Sequence, residues 1–337
     1  MTNKTYKKLI VTRFGENFRD SIAIVEIPKE KPVANEILVR NSYAGVNAII
    51  DTNIALGLVT YLPITLPVDM GSEAIGYVEA IGENVTDFAV GDAVATSGLG
   101  QGYREYQICD ADRLYRVREP SPEILTLIST GASALICLEQ VAKLKSGEVV
   151  VVSAAAGGLG HIALQIAKLA GNHVIGLCGS TEKCEALKQI GCDRPINYKN
   201  EDINEVLASE YTNGIDLAID SVGGPVYDVL VDHLAERGRL VVCGRTHEAG
   251  RPWEQVLQTR PTSKVYSKSA SILGFMSRHF QTFWPAAVKR ILNLHDNGQV
   301  RVLVDPARFQ GLEDIPNAID HLLAGKNTGK VIVRIKN

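Results

Sequence analysis

Ala155, Gly157 and Gly160 stand in the spacing Ala155-x-Gly157-x-x-Gly160, directly after four consecutive valines, Val149 to Val152. Small residues at that spacing let a backbone turn come close to a pyrophosphate, whose charge the free amides of the turn can hold. The run Ala156-Gly157-Gly158-Leu159-Gly160 is therefore the candidate anion cradle. Its first position is alanine where the full dinucleotide fingerprint has glycine, and small residues also build ordinary strand-to-helix turns. What favours binding is the context, with a strand before the turn and a helix after it, starting near Leu159. Where a site for NAD places an acid about 20 residues further on, to hold the ribose 2′-hydroxyl, the chain reads Leu177-Cys178-Gly179-Ser180-Thr181-Glu182-Lys183. No acid stands at the strand end, and Glu182 is displaced onto the next helix. A missing carboxylate removes repulsion against a 2′-phosphate, and Ser180 and Lys183 offer it a hydroxyl and a positive charge. NADP(H) is preferred over NAD(H). The competing reading of Lys183 is one more solvated helix lysine.

These residues need a scaffold that holds strand ends side by side. The four valines are apolar on both faces, as in a strand inside a parallel sheet. Ile162, Ala163, Ile166, Ala167 and Ala170 then recur at helical spacing, with Gly171 placed to end the helix. Strand and helix alternation continues through strands at Val174–Leu177, Pro195–Tyr198, Asp216–Asp220, Leu240–Cys243 and Ile272–Gly274, separated by helices at Thr181–Ile190, from Asp202, and near Pro225. Six strands with crossover helices predict a doubly wound Rossmann sheet over 122–295.

The preceding part has short β-branched runs, Leu9–Val11, Ile22–Val25, Ile37–Val39, Ile75–Val78 and Ala93–Ala95, punctuated by glycine and proline, and reads as a β-rich module. One helix interrupts it, Ala48 to Leu56, followed by a loop holding Pro63 and Pro67. The tail predicts a helix within Phe283–Leu294, a strand at Val302–Val304, a helix over Ile315–Leu323 and a last strand at Val331–Ile335, with the final strands returning to the first module. The expected division is 1–121 with 296–337 against 122–295.

At 337 residues the chain is long for a single core. A net charge of −3 and the lack of a long Lys/Arg run speak against nucleic acid. No stretch approaches eighteen uncharged apolar residues, so no membrane span is expected. The first residues lack the patterns of secretory and transit peptides, which points to a cytoplasmic protein with a small-molecule partner. Six cysteines without a Cys-x-x-Cys pair or a Cys/His cluster read as free, mostly buried thiols.

The element Ala154 to Gly160 with Gln165-x-Ala167-Lys168, together with Gly71-Ser72-Glu73-Ala74-Ile75-Gly76, Gly82, Val85 and Gly91-Asp92-x-Val94, resembles the medium-chain dehydrogenase/reductase superfamily over essentially the whole length. Within it the chain is most similar to the zinc-free quinone and enone reductases, and particularly to the prostaglandin reductase 3 group, through Gly191 to Lys199 and Gly325 to Lys330. The resemblance implies an α/β fold with a GroES-like β-rich catalytic domain beside the Rossmann domain, and a homodimer. It implies that Lys183 and Tyr198 contact the 2′-phosphate, with Ser180 nearby, and that Ser221, Cys243, Gly244, Phe275 to Ser277 and Asn327 line the nicotinamide and ribose path. A strand-end aromatic packed on Ile196 is the other reading of Tyr198.

Zinc-using relatives have Gly-His-Glu, a cysteine near 45–51 and a four-cysteine lobe; here Ser72 replaces the histidine, no cysteine precedes Cys109, and no lobe follows. No zinc is expected. Plain alcohol dehydrogenation then loses its usual driving group, whereas reduction of an enone needs only hydrogen-bond donors at the developing enolate oxygen. Asn47 matches the family's asparagine beside the substrate, and a structural asparagine holding a loop is equally plausible. Relatives with a tyrosine acid carry it where this chain has isoleucine, which leaves Tyr61 as the nearest substitute. The expected activity is NADPH-dependent reduction of the C=C bond of α,β-unsaturated ketones, apolar carbonyl compounds of the 15-oxo-prostaglandin kind. Alternatives are an NADPH quinone reductase and, distantly, a non-enzymatic NADPH-binding protein.

Overall fold

The computed structural model describes residues 4–251, 255–256 and 260–335. The chain forms two compact units, one made of Met1–Ser129, Ala249–Arg251 and Val304–Asn337, the other of Thr130–Glu248 and Pro252–Leu303. In the first unit, strands β1 (Thr5–Val11) and β2 (Ile22–Pro28) form an antiparallel pair, extended on the other side of β1 by β4 (Val68–Asp69), which follows β3 (Glu36–Gly45) in the chain. A larger antiparallel sheet runs from β3 through β5 (Glu73–Ile81) and β6 (Ala93–Ser97) to β8 (Leu114–Arg116), and β7 (Tyr106–Asp110) also pairs with β3. The helix Ala48–Ala55 leaves the end of β3 and stops at Gly57, whose φ of +70° suits a residue without Cβ.

The helix Pro122–Thr126 opens with a cap from the Ser121 hydroxyl. It continues through π-helical turns at Leu127–Gly131 and Cys137–Val141. Among the described residues Pro122–Val141 is the one helix long and apolar enough to cross a membrane by length and composition, and 72% of its most apolar window is buried inside the protein. Its uncharged stretch runs from Ile124 to Leu138 and is bounded by Glu123 and Glu139.

The second unit is a parallel sheet of β9 (Val149–Val152), β10 (His173–Cys178), β11 (Arg194–Asn197), β12 (Ile215–Asp220), β13 (Leu234–Val242) and β14 (Ser271–Gly274), in the order β11-β10-β9-β12-β13-β14. This is the doubly wound order, with β9 and β12 adjacent where the winding reverses, and Val150 to Val152 on the central strand are fully buried.

The chain then returns to the first unit. β15 (Phe309–Gln310) pairs with β16 (Ile332–Arg334), and β16 lies antiparallel on the end of β3, Ile332 opposite Gly45. The intervening helix Ile315–Leu323 buries Ile315, Ala318 and Ile319 in the core that also holds Ile54, Met70 and Tyr103. The expected strand at Val302–Val304 does not form. The amides of Arg301 and Leu303 are taken by Gln165 Oε1 at 2.8 Å and His161 Nε2 at 3.0 Å, so side chains of the helix Gly160–Leu169 occupy the donors that a ladder would use. Only Val304 makes a bridge, to Lys330.

Candidate active site

The glycine turn is built by close approach. A Cβ on Gly160 would lie 2.3 Å from the carbonyl oxygen of Ala154, and one on Gly157 would lie 3.1 Å from it. Left-handed backbone falls on Ala154, at φ +45°, one residue before the alanine that replaces the fingerprint's first glycine. Among the described residues the amides of Gly158 and Leu159 have no acceptor, so the turn ahead of the helix Gly160–Leu169 presents donors as an anion site requires. His161 is a contributor that sequence reasoning missed. Its Nδ1 donates to the Gly157 carbonyl at 2.7 Å while its Nε2 accepts from Leu303, which specifies one neutral tautomer. Burial pushes its pKa down to about 4.

The pairing of β10 with β9 and β11 sets the ends of the three strands together, Cys178 opposite Asn197. Ser180 caps the helix Thr181–Gln189, its hydroxyl accepting from the Lys183 amide at 3.3 Å, so Lys183 stands on the first turn. A Cβ on Gly179 would meet the Tyr198 hydroxyl at 2.5 Å. The absent side chain makes room for the Tyr198 ring over the turn that carries Ser180, and the ring is half-exposed there. Ser180, Lys183 and Tyr198 thus border the turn after β10, which itself ends without a carboxylate, while the Glu182 carboxylate on the next helix is hydrogen-bonded by its own backbone N–H and the Ser180 side chain and held below its ordinary range.

At the other half of the sheet, the fully buried Asp220 carboxylate ends β12 and organises the loop beyond it. It accepts from the Ser153 hydroxyl at 2.6 Å and from the amides of Val222 and Gly223 at 2.9 and 3.0 Å. Ser221 Oγ lies 3.2 Å from Cys243 Sγ, and a Cβ on Gly244 would sit 2.9 Å from the Ser221 carbonyl oxygen. A hydrogen bond from Cys137 holds the Cys243 thiol below its ordinary range against the effect of burial. Phe275 is buried against Phe280 with ring centroids 5.3 Å apart, and Ser277 follows on the next turn. Cys243 is partly exposed and the other free cysteines are buried, and burial pushes Cys109, Cys178 and Cys192 up to about 12, as inert thiols require.

The remaining candidates belong to the first unit. Asn327 Nδ2 donates to the Gly329 carbonyl at 2.9 Å, and Tyr61 packs half-buried against the core. Asn47 precedes the helix Ala48–Ala55 and enters a buried polar group. Its Nδ2 donates to Glu73 Oε1 at 2.8 Å and its Oδ1 accepts from Lys330 Nζ at 2.9 Å, while Lys330 also pairs with the Glu73 carboxylate. Gly45 must lack a side chain here, since a Cβ would lie 2.3 Å from Glu73 Oε1. Beside them Asp51 is fully buried, accepting from the Tyr103 hydroxyl at 2.5 Å and from the backbone N–H of Asn47 at 3.2 Å. Glu73, Lys330, Asp51 and Tyr103 are far apart in the chain. No spacing signals them, and charged residues inside an otherwise apolar strand context, Glu73 and Lys330, were the available hint.

Residues 33–119 match the family model described as Alcohol dehydrogenase GroES-like domain, and residues 158–293 the one described as Zinc-binding dehydrogenase. The chain is 38% identical to prostaglandin reductase-3 of Mus musculus, covering 98% of this chain and 90% of that protein. It is also 38% identical to a probable quinone oxidoreductase of Leishmania amazonensis, over 98% of each. The solved structure of Escherichia coli quinone oxidoreductase complexed with NADPH has a TM-score of 0.82 at 26% identity, covering 97% of this chain and 99% of that one. The fold and these likenesses define a two-domain oxidoreductase, and the chain belongs to the medium-chain dehydrogenase/reductase superfamily. Within that superfamily its likeness is to the prostaglandin reductases and quinone oxidoreductases.

The word zinc in one model's description does not fit the residues. Glu73, the one carboxylate kept from the Gly-His-Glu motif, already faces the Lys330 ammonium, and Ser72 offers a poor ligand. Among the described residues no group of three or more His, Cys, Asp or Glu could hold a metal. Elemental analysis of the purified protein is expected to find no stoichiometric zinc, and chelators should leave its activity unchanged.

Asp51 makes stability depend on pH. Burial pushes its carboxyl from 3.8 up to about 7, against the hydrogen bonds of Tyr103 and the Asn47 backbone N–H and the charge of Lys330. The folded chain therefore holds this proton more tightly than the unfolded one, so the contribution is full below about pH 4 and is lost as pH rises through 7. Asp51→Asn is expected to raise the melting temperature at pH 8 by several degrees, on the order of a few kcal/mol, and to change it little at or below about pH 4.

Proposed function

We propose that the protein uses NADPH to reduce the carbon–carbon double bond of α,β-unsaturated ketones, apolar carbonyl compounds of the 15-oxo-prostaglandin kind. The observation that carries this reading is Asn47, whose amide is clamped by Lys330 and Glu73 with one N–H left over. It is supported by the likeness to prostaglandin reductase-3 over nearly the whole chain. The Rossmann unit is assigned to the cofactor and the GroES-like unit to the substrate.

Ala156, Gly157, Gly158, Leu159 and Gly160 would hold the pyrophosphate, and Ser180, Lys183 and Tyr198 the 2′-phosphate. Ser221, Cys243, Gly244, Phe275, Ser277 and Asn327 would line the path to the nicotinamide. When bound, NADPH supplies a hydride. The chain's own part in the reaction is to stabilise negative charge on the ketone oxygen as hydride arrives at the β-carbon, for which a fixed N–H of Asn47 is suited, with Tyr61 as the second candidate donor. A homodimer is supported by the edge strand β14, where Ser271, Ile272 and Gly274 are exposed. A quinone acceptor is the second reading, favoured by the Leishmania amazonensis relative.

Incubation of the protein with NADPH and an enone is expected to yield the saturated ketone; recovery of the allylic alcohol, or an inert enone panel beside rapid quinone turnover, would reject the first reading. Lys183→Ala should weaken NADPH by about ten-fold or more while sparing NADH, since a charge-assisted phosphate contact is worth roughly 1.5–3 kcal/mol. Asn47→Ala should lower kcat with little change in NADPH affinity, because a donor to the developing charge acts on the transition state.

A further inference from the structure

An ammonium group is costly to bury unless each of its protons finds an acceptor. Lys330 is 3% exposed, and its Nζ donates to the Val46 carbonyl at 3.1 Å, to Asn47 Oδ1 at 2.9 Å and to the Glu73 carboxylate. Asn47 closes the triangle by donating from Nδ2 to Glu73 Oε1 at 2.8 Å. An ammonium has no acceptor and a carboxylate has no donor. The amide can therefore sit only one way round, with its oxygen toward Lys330 and its nitrogen toward Glu73. Turned over, it would set donor against donor and acceptor against acceptor inside a buried site.

That orientation spends the amide oxygen and one N–H. The second N–H remains, on a half-buried residue whose two partners are buried. Asparagine at the start of a helix ordinarily turns its oxygen onto the first amides of that helix, a contact worth about 1 kcal/mol. Asn47 opens the helix Ala48–Ala55 and makes no such bond. Its side chain is drawn away from the local use and held by residues 26 and 283 positions distant.

We propose that Lys330 and Glu73 are positioning residues for the reaction: together they hold the Asn47 amide so that it offers a donor, and never its oxygen, to the carbonyl oxygen of the enone. This rests on the enone reading of the site. A donor already aimed at the place where charge develops needs no reorganisation as the reaction proceeds, whereas an amide free to turn would spend part of its time presenting an oxygen to an incipient enolate.

Lys330→Met removes the cation that fixes the amide. Its kcat with an enone is expected to fall by about ten-fold or more while the Kd for NADPH stays within roughly two-fold, the split of a transition-state contact. Because this variant leaves Glu73 buried without its cation and can unfold, a second one keeps the proposal open to refutation. Asn47→Asp combined with Glu73→Gln retains one ammonium, one carboxylate and one amide in the triangle but moves every amide N–H from position 47 to position 73. A melting temperature near that of the unmodified protein, with kcat as low as in Asn47→Ala, supports the proposal. Unmodified kcat in either folded variant overturns it. If the unmodified protein binds NADPH and reduces no enone, the functional reading fails and takes the proposal with it; enone turnover that these substitutions leave untouched overturns the proposal alone.

Discussion

The Lys330 ammonium must be neutralised where water cannot reach it, and much of the first unit is arranged to do so. Glu73 supplies the opposite charge from the start of β5, and Val46 and Asn47 supply oxygens from the end of β3. Lys330 comes into reach because β16 follows it immediately and pairs with the end of β3, Ile332 opposite Gly45. Gly45 in turn has to be glycine so that the Glu73 side chain can lie across it. A buried ion pair of this kind is weak evidence for stability, since two charges lose their hydration to form it. Its better-founded consequence is directional: with one full charge of each sign on either side, a neutral amide between them has a single orientation.

The second unit solves a different electrostatic problem with fewer charges. The turn after β9 offers amides, and neutral groups keep it open. His161, held uncharged by burial, ties the Gly157 carbonyl to the Leu303 amide, and Asp220 gathers the Ser153 hydroxyl and two amides at the end of β12. Both act on the backbone around the strand ends, where a parallel sheet collects its loops. The cluster of Ser180, Lys183 and Tyr198 follows the same logic. Gly179 leaves room for the Tyr198 ring, and the nearest carboxylate, Glu182 on the following helix, is hydrogen-bonded by the Ser180 side chain.

Zinc-using members of the family place a cation beside the reacting oxygen. Here the carboxylate left over from that motif is matched to a lysine of the same chain, and the positive charge is spent on holding an amide. The arrangement suits a reaction in which hydride adds to carbon and the oxygen needs only a hydrogen bond. The same residues would serve an enone or a quinone, because both develop negative charge on a carbonyl oxygen. Relatives carrying either name are each 38% identical to the chain over nearly its full length.

The sequence by itself determined whatever depends on near neighbours. The alternation of the second unit, the turn at Gly157 to Gly160, the missing acid near Ser180 and the helix Ile315–Leu323 are all properties of short segments, whose periodicity and turn residues act locally. The strand expected at Val302–Val304 failed for the opposite reason. Its residues are β-branched enough, but the donors of Arg301 and Leu303 are claimed by Gln165 and His161, over a hundred positions earlier. The Lys330, Glu73 and Asn47 triangle lay beyond sequence reasoning in the same way, for its members come from three separate stretches and only the β16 and β3 pairing brings them together. Tertiary structure alone decided which way the Asn47 amide faces, because that choice is made by two charges whose positions no local pattern records.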